Sequence, residues 1–378
     1  MYAPGWIVHE WPGFAMKLGI LGGGQLGRML AIAGFQHAVT CRFLEPASES
    51  VAAATGERIR GEFEDFAALY EFAQGLSKIT YEFENVPVES VRWLNERVPV
   101  RPGPEILAVA QDRLAEKNFF ASQGIPVPGY RAVHTRQDLE NALQVLGFPA
   151  VLKTTRFGYD GKGQAIIQSS QDIDCCWQKL SGRPLILEQF VAFDRELSIL
   201  AVRSSQGQLA FYPLCENHHQ HGILRWSRSP IVPAMNALQK RAEDLARTTL
   251  EYFNYVGVLA IELFDVGGEL LVNEMAPRVH NSGHWTIEGA ETSQFENHLR
   301  AVLGWPLGRT NALGHSFMYN LIGQIPDVTQ ILKLPAVHYH NYGKTARTGR
   351  KLGHITIRAQ NVDDLHGLTQ EIELVLGK

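Results

Sequence analysis

The chain has 378 residues, 45% hydrophobic and 20% charged, with a formal net charge of -4. This composition describes a soluble globular protein of two or three domains and supplies no basic field for duplex nucleic acid. Cys41, Cys175, Cys176 and Cys215 show no Cys-x-x-Cys spacing, so neither a disulfide framework nor a zinc site is expected, and the reading is free thiols in a reducing cytoplasm. No apolar run approaches the ~20 residues of a membrane helix.

Residues 1–15 carry His9, Glu10 and two prolines without a basic start or an apolar centre. They are unlike a secretory signal and read as a disordered upstream extension or a misassigned start. Strand, glycine turn, helix and strand then follow at 17–21, 22–27, 28–35 and 39–44. Gly22-x-Gly24-x-x-Gly27, with Glu45 beyond it, fits a dinucleotide fingerprint, but the same glycines serve any tight strand-to-helix turn. Further parallel-sheet units read at 78–84 and 98–101. Glu82 and Glu84, at the end of the first, are either ligand contacts or solvated carboxylates.

A helix is expected over 104–122. Its Gln111-Asp112-Arg113-Leu114-Ala115-Glu116-Lys117 stretch reads by itself as an exposed charged face, with Gly124 as a stop and 124–128 as a linker. Strands at 149–153 and 165–168 bracket a glycine-rich loop, 154–164. Backbone amides there can approach phosphate oxygens, and Lys153 and Lys162 add charge. The loop does not open a helix, so it is not a Walker motif, and an exposed hairpin tip is the alternative.

A strand at 184–191 and a core strand at 197–202 follow. The run Glu216-Asn217-His218-His219-Gln220-His221 is a weak zinc signal. A helix over about 234–254 leads to strands at 256–265 and 270–275. A three-residue turn, Gly267 to Glu269, sets Glu262 opposite Glu274, whereas a two-residue turn sets Asn273 there. Opposed carboxylates repel unless a cation lies between them, and such oxygen ligands suit magnesium; two solvated glutamates are the alternative. An amphipathic helix runs from about 295 to 303. Lys344, Arg347, Arg350 and Lys351 then form either a phosphate cradle or a solvated basic face.

The run Asn273-Glu274-Met275-Ala276-Pro277-Arg278-Val279-His280-Asn281-Ser282-Gly283-His284, followed by Thr292-Ser293-Gln294-Phe295-Glu296, closely resembles the 5-(carboxyamino)imidazole ribonucleotide synthase family of ATP-grasp enzymes. The likeness extends to Gly22 through Met29, to Tyr81 through Asn85, to the loop 153–164 and to the basic segment 344–354. Thr155 stands where the family has arginine, Phe157 where it has glycine, and Thr348 where it has proline.

The resemblance implies an α/β ATP-grasp fold. An N-terminal Rossmann-like parallel-sheet domain would occupy 17–110, the ATP-grasp domain 111–310 with a lid subdomain at 124–188, and a C-terminal α+β domain 311–378. It implies ATP with magnesium or manganese, aminoimidazole ribonucleotide and bicarbonate as substrates, and a homodimer. For ATP it points to Arg113, Lys153, Gly158, Tyr159, Asp160, Gly161, Lys162, Gly163, Gln164, Glu188, Gln189, Phe190, Val191, Glu196, His219, Asn273 and Glu274. Glu262 and Glu274 would hold the metal. Arg278, His280 and Asn281, with Asp160 and Lys153, would serve the chemistry. Tyr159, Asp160 and Lys162 would close over the imidazole, while Lys344, Arg350 and Lys351 bind its phosphate. A formate-dependent glycinamide ribonucleotide transformylase and a non-catalytic nucleotide-binding protein are the alternatives.

Overall fold

The structure, a computed structural model, describes residues 16–158, 161–232 and 235–377. The first unit is a four-stranded parallel sheet in the order Glu57–Ile59, Thr40–Leu44, Lys17–Leu21, Lys78–Tyr81. Helices cover parallel strands on both faces, which is why Leu18, Ile20, Phe43, Leu44, Ile79 and Tyr81 are all fully buried. The expected strand at 98–101 is reduced to a bridge between Val100 and Ile79. Pro99 and Pro102 flank that bridge and carry no N–H to extend a ladder.

The helix expected over 104–122 divides into Pro104–Ala110 and Arg113–Ser122. Asp112 causes the break by capping the second helix, its carboxylate accepting the N–H groups of Leu114 and Ala115. A second, antiparallel sheet orders Tyr130–Val133, Leu185–Gln189, Ala150–Thr154 and Gln164–Ile167. Helices Arg136–Leu146 and Ile173–Leu180 close its apolar face.

The third sheet has nine strands. From one edge it runs Glu269–Ala276, Gly257–Val266, Arg195–Arg203, Cys215–Gln220, Ile223–Ser229, His315–Ile322, Lys351–Ala359 and Val337–Asn341, with Leu209–Phe211 added beside Arg195–Arg203. The pairing of Ile223–Ser229 with His315–Ile322 makes the middle and last thirds of the chain one continuous sheet. Among the described residues, no helix is long and apolar enough to cross a membrane.

His298, on the helix Gln294–Leu303, ties this sheet to the first one. Its Nδ1 accepts the Val258 N–H at 3.1 Å, so its Nε2 carries the proton and donates to Thr80 Oγ1 at 2.8 Å. His284, His298 and His354 are all fully enclosed, and burial holds each below the ordinary histidine range, His298 down to about 3. The unfolded chain takes up a proton at each ring near pH 6.5 while the folded chain does not, so their contribution is complete above that pH and is lost as pH falls. Each such ring contributes a loss of about 1.4 kcal/mol per pH unit once pH is well below 6.5, and carboxyls raised by burial, Glu116 and Glu262, act in the opposite sense. Urea-unfolding free energies of wild type and His298→Gln between neutral and mildly acid pH isolate one ring: the difference should shift against wild type as pH falls, and a constant difference would contradict it.

Candidate active site

The site is built on the hairpin of residues 257–276. Val266 pairs with Glu269, so the turn is the two glycines, Gly267 at φ 60° and Gly268 at φ 86°. That corrects the three-residue turn expected from sequence. A regular ladder from a two-residue turn would bring Asn273 opposite Glu262. The register shifts between Leu263, which faces Val272, and Glu262, which faces Glu274. Asn273 is therefore the extra residue of a β-bulge, and the bulge, not the turn, opposes the two carboxylates.

Helix Arg113–Ser122 secures that bulge. Lys117 Nζ donates to the carbonyls of Val272 at 3.0 Å and Asn273 at 2.6 Å, and Glu116 accepts the Met275 N–H at 2.6 Å. Contrary to an exposed charged face, Lys117 is 0% and Glu116 2% exposed. Burial lifts the Glu116 carboxyl to about 8 and lowers the Lys117 ammonium. Lys117 and Lys153 face the same carboxylate, Glu188, at 3.8 and 2.8 Å. Glu188 Oε1 is buried without a partner among the described residues and belongs to a residue on the cavity wall.

Glu262 and Glu274 share a register position but not an ionisation range. Burial, and then the neighbouring Glu274 charge, raise Glu262 to about 7. Burial would raise Glu274 too, but Arg113, whose Nη1 lies 2.7 Å from Glu274 Oε2, brings it down to about 2. His280 Nε2 is 3.3 Å from Glu262 Oε1. Burial, with Arg278 and Lys351 nearby, keeps His280 well below its ordinary range and thus neutral. Its Nδ1 accepts the Ser282 N–H, which leaves the ring proton on Nε2, toward Glu262. Arg278 reaches into the first unit and donates through Nε to Glu84.

The glycine turn of the first unit has its own anions. Gly23 N–H donates to Glu45 at 2.7 Å, while the Gly24 and Gly27 N–H groups donate to the two oxygens of Glu82. Amides that would cradle a pyrophosphate are already bonded to carboxylates, so the geometry speaks against the dinucleotide reading. The turn instead presents Glu82 on the wall of the central cavity, where Gln25 accepts a hydrogen bond from Lys344 Nζ.

That cavity measures about 640 Å³ and lies where the three sheets meet. Its wall includes Arg113, Lys153, Gly158, Gly161, Lys162, Gln164, Glu188, Gln189, Phe190, Val191, Glu196 and His219. Glu262, Asn273, Glu274, Arg278, His280, Asn281 and Lys351 line it too, as do Glu45, Glu82 and Glu84. Four described candidates, Gly163, Lys344, Arg347 and Arg350, are not on the wall. Gly163 accepts the Thr154 N–H at the base of the loop, Lys344 reaches the wall through Gln25, and Arg350 donates to the Thr345 carbonyl. Tyr159 and Asp160 lie outside the described residues.

In the histidine-rich strand, His218 faces outward and stacks on Trp226, whereas His219 turns inward to within 3.0 Å of Glu196. Phe157 holds φ 60°, the left-handed conformation that a glycine adopts without strain. Sequence reasoning gave no site role to Glu116, Lys117 or the stacked pair Phe193 and Phe264, whose rings lie 4.9 Å apart on the cavity wall, and it read Glu45 as part of a dinucleotide fingerprint rather than as the acceptor of the Gly23 N–H. Only Phe264 carried a usable signal, since it is two residues from Glu262 on one strand and therefore on the same face.

Known proteins share this arrangement. Residues 15–111 match the ribonucleotide synthetase preATP-grasp domain, 118–295 the ATP-grasp domain, and 316–367 the phosphoribosylaminoimidazole carboxylase C-terminal domain. The N5-carboxyaminoimidazole ribonucleotide synthase of Pseudomonas aeruginosa is 47% identical over 96% of this chain and 99% of its own length. That of Bacillus subtilis is 40% identical over 92% of each. The crystal structure of N5-carboxyaminoimidazole ribonucleotide synthetase from Thermus thermophilus superposes with a TM-score of 0.92 at 54% identity, covering 95% of this chain and 98% of that one. A synthase from Aspergillus clavatus in complex with ADP and 5-aminoimidazole ribonucleotide gives 0.88 at 29% identity, covering 96% and 99%. Likeness at this identity along nearly the whole chain, with the same three domains in order, makes this protein a member of the N5-carboxyaminoimidazole ribonucleotide synthase family of ATP-grasp ligases.

Proposed function

We propose that the chain converts 5-aminoimidazole ribonucleotide, ATP and bicarbonate into N5-carboxyaminoimidazole ribonucleotide, ADP and phosphate, in purine biosynthesis. One observation carries the reading. Two carboxylates, opposed by a bulge, face a cavity whose other walls bring Lys153, Lys162, Arg278 and Lys351 together. Such a wall suits a ligand carrying several negative charges, and the family resemblance makes that ligand ATP with a ribonucleotide beside it.

In the reaction, a bicarbonate oxygen attacks the terminal phosphorus and the bond to the ADP oxygen breaks. The carboxyphosphate formed releases carbon dioxide and phosphate, and the substrate amine bonds to that carbon with loss of a proton. No enzyme nucleophile takes part, so the chain's task is positioning and charge neutralisation. Lys153 and the loop 158–164 hold phosphate oxygens. Glu188 Oε1, a buried acceptor with no donor among the described residues, suits an N–H or O–H of the nucleotide, and the apolar Val151, Ile166 and Phe190 wall its slot. Glu196, paired with His219, takes the ribose hydroxyls.

Arg278, His280 and Asn281 stand by bicarbonate and the ribonucleotide. Neutral His280 offers a hydrogen bond without adding a second full charge beside Arg278. Tyr159, Asp160 and Lys162 close over the imidazole and keep water from the carboxyphosphate, and Lys344, Arg350 and Lys351 take the ribonucleotide phosphate. We assign the protein to the cytoplasm as a homodimer, on the same resemblance.

The residues present fit a magnesium ion. Among the described residues no three His, Cys, Asp or Glu side chains gather as a metal site of their own. The cation would instead be shared by Glu262, Glu274 and phosphate oxygens, which matches the way magnesium is bound with nucleotides. It would offset the burial and the Glu274 repulsion that together raise Glu262 to about 7, and would neutralise phosphoryl charge.

The test is ADP release by the purified protein with ATP, magnesium, bicarbonate and aminoimidazole ribonucleotide, each omitted in turn. Release dependent on both bicarbonate and the ribonucleotide is expected; release with glycinamide ribonucleotide and formate instead would overturn the substrate. Glu274→Gln should lower turnover by about a thousandfold, and retained turnover at saturating magnesium would contradict the metal assignment. Lys117→Met removes the donor from two carbonyls and leaves buried acids uncompensated, so a stability loss of about 3–5 kcal/mol is expected in chemical denaturation. Undiminished stability would show that the bulge holds without the ammonium.

A further inference from the structure

Asn281 and Asn320 are distant in sequence and adjacent in space. Asn281 opens the short turn Asn281–Gly283 and lines the cavity. Asn320 lies on the strand His315–Ile322, opposite His354, is 1% exposed, and is not on the cavity wall. Their side chains form a reciprocal pair. Asn281 Nδ2 donates to Asn320 Oδ1 at 3.1 Å, and Asn320 Nδ2 donates to Asn281 Oδ1 at 2.9 Å.

An amide's oxygen and nitrogen ends are alike in shape, so a reciprocal pair can turn over as a unit and keep both bonds. A third bond removes that freedom. Asn320 Nδ2 also donates to the Leu224 carbonyl at 2.9 Å, and a carbonyl can only accept. Turned over, Asn320 would set its own oxygen against that carbonyl, so the Leu224 carbonyl would lose this donor and face a second acceptor. The Leu224 carbonyl thus fixes Asn320, and Asn320 fixes Asn281. One N–H and one oxygen lone pair of Asn281 remain uncommitted within this pair.

We propose that Asn320 is a positioning residue for the reaction, holding Asn281 in the one amide orientation that offers this N–H and this lone pair to the ligand in the cavity. The proposal rests on the function given above, in which Asn281 stands by bicarbonate and the ribonucleotide. It gives the last third of the chain a part in orienting the reacting groups besides phosphate binding.

The experiment measures kcat and KM for ADP release by wild type, Asn320→Ala, Asn320→Asp, Asn281→Ala and the double alanine variant, across mildly acid to mildly alkaline pH. Asn320→Ala should lose about tenfold to a hundredfold in kcat/KM. The double variant should lose no more than Asn281→Ala alone, because Asn320 acts only through Asn281. In Asn320→Asp the introduced carboxylate cannot donate to Asn281 Oδ1 and repels the Leu224 carbonyl, but its protonated form restores the reciprocal pair. Its activity relative to wild type should therefore rise as pH falls.

Multiplying losses in the double variant, or an Asn320→Asp profile of wild-type shape, would overturn the proposal. If either Asn320 variant is not recovered folded, the other decides, one through the cycle and one through the pH profile. Absence of ribonucleotide-dependent release by wild type sinks the proposed function, whereas normal wild-type turnover with an unimpaired Asn320→Ala enzyme sinks the positioning role alone.

Discussion

The hydrogen bonds from one buried ammonium, Lys117, to the carbonyls of Val272 and Asn273 hold the geometry on which the site depends. Without the bulge, the two-residue glycine turn would bring Asn273 opposite Glu262, and the carboxylates would not face each other. A lysine enclosed to this degree persists because its charge is answered. The Glu188 carboxylate faces it, and Arg113 and Lys153 alternate with Glu274 and Glu188 along the same cluster. Alternation of this kind lets several charges be buried together where any one alone would be expelled or neutralised.

The same cluster sets the contrast between the two central carboxylates. Arg113 takes Glu274 and holds it ionised, while Glu262 lies against a neutral histidine and a second carboxylate, and burial raises it well above the ordinary carboxylate range. Two groups with the same chemistry and opposite positions on one strand pair are thereby made unequal by their partners. Perturbation of this size, inside a cavity that also gathers several cations, is characteristic of a functional site.

The first unit and the last third of the chain each reach the segment that follows this hairpin by specific bonds. From the first unit, Glu84 takes Arg278 and Thr80 takes His298. From the last third, Asn320 takes Asn281. The continuous third sheet makes these contacts compatible, since the strands that carry the hairpin and those that carry Asn320 and Lys351 belong to one hydrogen-bonded surface.

The sequence by itself determined the order of the units, the parallel first sheet, the strand-loop-strand element and the run of acid, base and amide after the hairpin, because each is written in local periodicity, glycine spacing or a contiguous motif. The opposition of Glu262 and Glu274 was legible too, although through the wrong turn. Tertiary structure alone decided the bulge, the burial of Glu116 and Lys117, the occupation of the glycine-turn amides by Glu45 and Glu82, and the pinning of Asn281 by Asn320. In each of these the partner is remote in the chain: Lys117 and Asn273 are 156 residues apart, and Gly24 and Glu82 are 58 apart. A charge pattern on a helix reads the same whether water or a hairpin covers it, and only the packed chain specifies which carbonyl or carboxylate arrives to meet it.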